Sequence, residues 1–82
     1  MPLVTLYGKP GCHLCDDARE LVEIVRRDLP FELREVDVSL DPGLLRAYLE
    51  RIPVIALDGE ELFDFFVDER ALAERLRAPP RG

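Results

Sequence analysis

The sequence predicts an α/β domain: a four-stranded mixed sheet flanked by helices, with the element order β-α-β-α-β-β-α. Three observations carry this. Short β-rich runs at residues 3–7, 31–38, 53–57 and 60–66 are separated by turn residues. Between the first two runs, apolar residues recur every three or four positions, the period of one helix face. Between the last two stands Asp58-Gly59, a hairpin dipeptide. The chain has 82 residues, room for one domain spanning 1–78 and a flexible C-terminal tail at 79–82.

Each element has its own signals. "LVTLY" (3–7) is apolar on both parities apart from Thr5, as suits a central strand covered on both faces. "GKPG" (8–11) breaks it. From Cys12 onward, Leu14/Cys15, Ala18, Leu21/Val22 and Val25 line one helix face, and Pro30 ends the helix by Asp28. "FELREVDV" (31–38) is a second strand whose alternation changes phase between Leu33 and Val36, the mark of a bulge or a half-exposed edge. Asp41-Pro42 opens a helix that runs on through residues 44–50, with an N-cap and a proline at its first position. "PVIAL" and "EELFDFF" form a hairpin through a type I′ turn, with Tyr48, Phe63, Phe65 and Phe66 expected in the core. Asp68 caps a last helix, 69–77, with Val67 and Leu72 as its hydrophobic staple, and "APPRG" is a frayed end.

Composition narrows the function. The formal charge is −6, from 17 acidic and 11 basic residues mixed along every segment, so no basic face exists for nucleic acid. No apolar run is long enough to span a membrane, and the N-terminus lacks the basic region of a signal peptide. The expected location is the reducing cytoplasm, where a persistent structural disulfide is unusual.

The chemistry concentrates in "YGKPGCHLCDDA" (7–18), which holds both cysteines, the sole histidine and the sole lysine. On a helix, residues i and i+3 are neighbours, so Cys12 and Cys15 lie within adjusting distance of a disulfide. At the first turn the leading sulfur faces free N–H groups and the positive end of the helix dipole, which favours its thiolate. The second thiol lies a turn deeper and better shielded. Cys12 is therefore the candidate nucleophile and Cys15 the resolving thiol. Lys9 can reach the thiolate or a ligand carboxylate, and His13 tunes the site without acting as its base. Asp16 and Asp17 oppose the thiolate while complementing the helix dipole.

Other readings of the same residues stand beside this one. Two cysteines three apart can simply pack in an apolar face. A zinc or iron–sulfur module needs about four ligands, and this chain supplies Cys12, Cys15 and at most His13, so a second subunit has to complete the set. A non-catalytic interaction domain is the third reading.

A C-x-x-C at the strand–helix junction of a βαβ unit reads as a thioredoxin-like redox motif. With "LYGKPGCHLC", "RIPVI" (51–55) and "ELFDFFVDERAL" (61–72), nearly the whole chain resembles the glutaredoxins, and most closely their short bacterial glutaredoxin-like relatives. The resemblance implies a thioredoxin-like fold and a thiol–disulfide oxidoreductase in which Cys12 attacks and Cys15 resolves. It implies that Pro53 is a cis-proline, which turns the Ile52 backbone outward to pair with a substrate or glutathione. It further implies that Lys9 meets a glutathione carboxylate and that Asp68 belongs to an acidic pair at the ligand's other end. No bound cofactor or metal is expected, and glutathione is a possible co-substrate. The expected partners are a disulfide-containing protein or small molecule, with glutathione or a thioredoxin reductase-like enzyme as reductant, and the domain is expected to be monomeric. Three departures stand out. Arg51-Ile52-Pro53 replaces the usual Thr-Val-Pro, and His-Leu replaces the usual spacers between the cysteines. Phe66-Val67 fill roughly the place of a glycine pair that leaves room for the γ-glutamyl end of glutathione.

Overall fold

The strands assemble into one sheet of order β2-β1-β3-β4 in the computed structural model, which describes residues 1–78. Strand β1 (Leu3–Gly8) lies beside β2 (Glu32–Asp37) in parallel, from Leu3 opposite Glu32 to Gly8 opposite Asp37. On its other side β1 runs antiparallel to β3 (Val54–Leu57), with Tyr7 opposite Val54. Strand β4 (Glu60–Asp64) closes the antiparallel hairpin. Helix α1 (His13–Asp28) connects β1 to β2. A 3-10 turn (Val38–Leu40) and helix α2 (Pro42–Tyr48) lead to β3, and α3 (Glu69–Arg77) ends the described chain. The predicted element order and mixed sheet are those observed.

The central pair of strands explains the core. Along β1, Val4 and Leu6 point to one face, where they join Ala18, Val22 and Val25 of α1, Ile55 and Leu57 of β3, and Val67 and Leu72 around α3. These α1 residues recur at helical spacing, so a single stripe of the helix is buried. A smaller cluster of Cys15, Val38 and Ile52 receives Tyr7, Cys12, Leu44, Leu45 and Tyr48. Helix α2 is only half-buried through those last three residues.

The turns follow the local chemistry. Asp58 (φ 49°) and Gly59 (φ 89°) are both left-handed, as a type I′ turn requires. The Asp58 carboxylate accepts from the Leu3 N–H (2.9 Å) and the Asp58 N–H donates to the Leu3 carbonyl (2.8 Å), tying the hairpin to the start of β1. The Asp41 side chain caps α2 by accepting from the N–H groups of Gly43 and Leu44, with Pro42 following. Asp68 caps α3 through the Ala71 N–H, and Val67 and Leu72 share the core as a staple.

Of the two readings of the phase change in β2, the half-exposed edge holds: its register with β1 is unbroken, and it is the edge strand with both faces partly covered. The irregularity lies between β3 and β4, at Ile55/Ala56. The expectations for the end of α2, the end of β4 and the two aromatic rings need correction. Helix α2 stops at Tyr48 rather than Glu50. Strand β4 stops at Asp64, and Phe65 adopts a φ of 67°, which turns the chain out of the sheet and leaves the Phe65 and Phe66 side chains in solvent rather than in the core. Phe63 and Tyr48 remain half-buried. The expected flexible tail at 79–82 lies outside the described residues.

Candidate functional site

Strand β1 delivers the chain to the site, and the turn after it is shaped by packing. A Cβ on Gly8 would stand 3.0 Å from the Cys15 sulfur and 3.3 Å from a Leu6 methyl carbon, so only glycine lets the strand end meet the helix this closely. Gly11 takes a φ of 77°, and the chain then enters α1 with Cys12 as N-cap in an extended conformation. A sulfur occupies the place where Ser, Thr, Asp or Asn usually accepts a hydrogen bond. It does accept one: the Cys15 N–H points to the Cys12 Sγ at 3.2 Å.

The two thiols are unpaired by any disulfide and sit in contrasting surroundings. Cys12 is half-exposed, whereas Cys15 is 1% exposed beneath it. Burial, the hydrogen bond with Cys12 and the nearby negative charges push the Cys15 thiol up to about 11, against a smaller opposing pull from the Lys9 backbone N–H. At neutral pH Cys15 is therefore a protonated thiol.

The Ile52–Pro53 segment shares this neighbourhood. Its peptide bond is cis, both residues are buried, and Ile52 belongs to the cluster that contains Cys15 and receives Cys12. The Phe65 N–H donates to the carbonyls on either side of Ile52, that of Arg51 at 3.2 Å and that of Pro53 at 2.9 Å. The N–H and C=O of Ile52 itself pair with nothing among the described residues.

Behind the segment, Arg51 donates to Glu61 (2.5 Å) and Asp64 (3.4 Å) on β4, while its guanidinium lies 5.6 Å from the Tyr48 ring centroid. The Tyr48 hydroxyl donates to Glu61 at 3.0 Å, and its ring stacks on Tyr7 with centroids 4.5 Å apart. The Arg51 and Tyr48 hydrogen bonds hold the Glu61 carboxyl below its ordinary range. Sequence reading missed this network, because its partners are brought together where the end of α2 and the loop after it meet β4 rather than by spacing along the chain.

The remaining predicted residues are dispersed. His13 is exposed at the start of α1. Lys9 is exposed on the β2 side, where it lines a groove of about 350 Å³ with Asp16, Arg19, Glu35 and Asp37. Arg19 bridges Glu35 and Asp16 there. Asp68, besides capping α3, lines a groove with Ile24, Val25 and Asp28 in the C-terminal half of α1 and with Leu29 just after it; neither cysteine lines that groove. Among the described residues, no three His, Cys, Asp or Glu side chains converge as a metal-binding group.

Comparison with known proteins agrees with this geometry. A family model described as "Glutaredoxin-like domain (DUF836)" matches residues 3–77. The chain belongs to that family. A crystal structure of a protein from X. campestris resembles this glutaredoxin-like domain with a TM-score of 0.77 and 36% identity, over 94% of this chain and 99% of that one. An uncharacterized protein of Mycobacterium tuberculosis is 33% identical over 76 residues, 87% of this chain and 78% of that protein. At the level of fold alone, a thioredoxin from Fasciola hepatica superposes with a TM-score of 0.63 at 24% identity, covering 92% of this chain and 77% of that one. The glutaredoxin-like domain thus has a thioredoxin-like fold, with its two cysteines where β1 ends and α1 begins. Among the described residues no helix is long and apolar enough to cross a membrane.

Proposed function

We propose that this glutaredoxin-like domain is a thiol–disulfide oxidoreductase using Cys12 and Cys15. The observation that carries the reading is the asymmetry of the pair: a half-exposed Cys12 sulfur at the helix N-cap, receiving the Cys15 N–H, above a buried and protonated Cys15. The Cys12 thiolate attacks one sulfur of a substrate disulfide. The substrate S–S bond breaks, a Cys12–substrate S–S bond forms, and the departing sulfur takes up a proton. Cys15 then loses its proton and attacks the Cys12 sulfur, releasing the second substrate thiol and leaving a Cys12–Cys15 disulfide. Two electrons have passed to the substrate. Two molecules of glutathione, or a thioredoxin reductase-like enzyme, return them.

The free N–H and C=O of Ile52, beside Pro53, hold the substrate backbone as a short added strand. Where glutathione serves, Lys9 meets its carboxylate, while His13 modulates the local charge. The domain works as a monomer in the reducing cytoplasm and needs no bound cofactor.

Replacement of each cysteine tests the mechanism. Cys12→Ser is expected to abolish disulfide reduction, and Cys15→Ser to accumulate the mixed disulfide with substrate. Full reductase activity in Cys12→Ser would overturn the reading. Recovery of two thiols from the oxidised protein with glutathione and glutathione reductase, or instead with thioredoxin reductase, identifies the class of reductant.

A further inference from the structure

Two large aromatic rings stand in solvent just past the end of β4. Phe65 is 49% exposed and Phe66 is 72% exposed, and the packing of the domain uses neither. Phe65 also holds a φ of 67°, a conformation that bulky side chains rarely adopt. Its N–H is fixed to the carbonyls of Arg51 and Pro53, so its backbone is anchored beside Ile52, whose own N–H and C=O are open. The unpaired backbone of Ile52 and the exposed apolar pair are therefore joined through the Phe65 N–H. Segment 64–70 adds three carboxylates, Asp64, Asp68 and Glu69, against one arginine. Asp64 is paired with Arg51, whereas Glu69 has no ion-pair partner among the described residues.

We propose that Phe65 and Phe66 form the apolar part of a docking surface for an extended polypeptide that carries the substrate cystine. The polypeptide pairs its backbone with Ile52 and lays an apolar side chain on the rings, and its basic residues are drawn by Asp68 and Glu69. The proposal rests on the redox reading of Cys12 and Cys15 and gives it a substrate class. Glutathione disulfide fits this surface poorly, having no apolar side chain to cover the rings and a net negative charge facing the carboxylates.

Single-turnover rates with pre-reduced protein test this, using three substrates. The first is a disulfide-linked dimer of a short peptide with leucine on both sides of its cysteine and a terminal arginine. The second has serine for leucine, and the third is glutathione disulfide. In each turnover the protein's two thiols become a disulfide and the substrate gains two thiols. The leucine dimer is expected to react about tenfold or more faster than the serine dimer, the factor supplied by partly burying one leucine side chain. In Phe65→Gly/Phe66→Ser that ratio is expected to fall close to one; glycine accepts the φ of 67°, so the fold is kept. Equal rates of the parent on both peptides, or an unchanged ratio in the double variant, would overturn the docking surface. Non-covalent binding of the leucine peptide to Cys12→Ser, followed by NMR, separates the two levels. If that binding requires Phe65 and Phe66 while the parent reduces none of the three substrates, the docking surface stands and the redox reading falls. If the parent reduces glutathione disulfide as fast as the leucine dimer, the redox reading stands and the docking surface falls.

Discussion

The backbone N–H of Cys15 points at the sulfur of Cys12 from 3.2 Å, so the buried cysteine contributes to the exposed one before any chemistry begins. The same turn that gives Cys12 a donor puts Cys15 under cover at 1% exposure. The two thiols should therefore react very unequally. With Cys15 pushed up to about 11, only about 1 in 10,000 of its thiols is ionised at pH 7. Limited iodoacetamide on the native reduced protein, followed by peptide mass mapping, is expected to label Cys12 almost alone. Comparable labelling of Cys15 under native conditions would show that its shielding is not real.

The buried thiol also makes stability depend on pH. The Cys15 pKa is raised from 9.0 to about 11 in the folded chain. Between those values the folded state keeps a proton that the unfolded state has released. The contribution is fully present below about pH 9 and is lost as pH rises through about 11, and amounts to on the order of 2 kcal/mol. Urea denaturation from pH 8 to pH 11.5 is expected to show wild type losing stability more steeply than Cys15→Ala. Parallel pH profiles for the two proteins would contradict this.

Most of the fold was legible in the sequence because the signals were local and mutually consistent. Asp41-Pro42, Asp58-Gly59 and the Asp68 cap each act within four residues, and each formed the predicted feature. The apolar stripe from Cys15 to Val25 likewise predicted the buried face of α1. Phe65 and Phe66 were misread for a physical reason: apolar character alone predicts burial, yet one left-handed residue at 65 turns both rings off the sheet. At the site, the two cysteines were legible from spacing. The Arg51–Glu61–Tyr48 network was not, since nothing along the chain announces that the end of α2 and the loop after it will lie against β4.

Gly8 offers a test of how tightly the site is built. Its missing side chain leaves room for the Cys15 sulfur, and a Cβ there would meet that sulfur at 3.0 Å. Gly8→Ala is expected to destabilise the domain by about 1–3 kcal/mol, the range for overpacking a well-filled interior. Gly8→Ala/Cys15→Ala removes the colliding sulfur and should recover part of that loss. A double-mutant cycle by urea denaturation measures the coupling, and strictly additive losses would show that the two residues do not press on each other.

The Glu61 carboxylate ties Arg51, the neighbour of Ile52, to strand β4. Glu61 accepts from both Arg51 and Tyr48, and these bonds lower its pKa from 4.5. Its contribution to stability is therefore present above about pH 4.5 and is lost as pH falls through the lowered folded-state value. Wild type should be more stable than Glu61→Gln at pH 7, with the gap closing on acidification below about pH 4. Because the pair is substantially exposed, the gap should also narrow at about 1 M salt, where the screening length is near 3 Å. Thermal melts of both proteins across this range check the prediction. A gap that does not narrow on acidification or with salt would assign the effect of the substitution to packing rather than to charge.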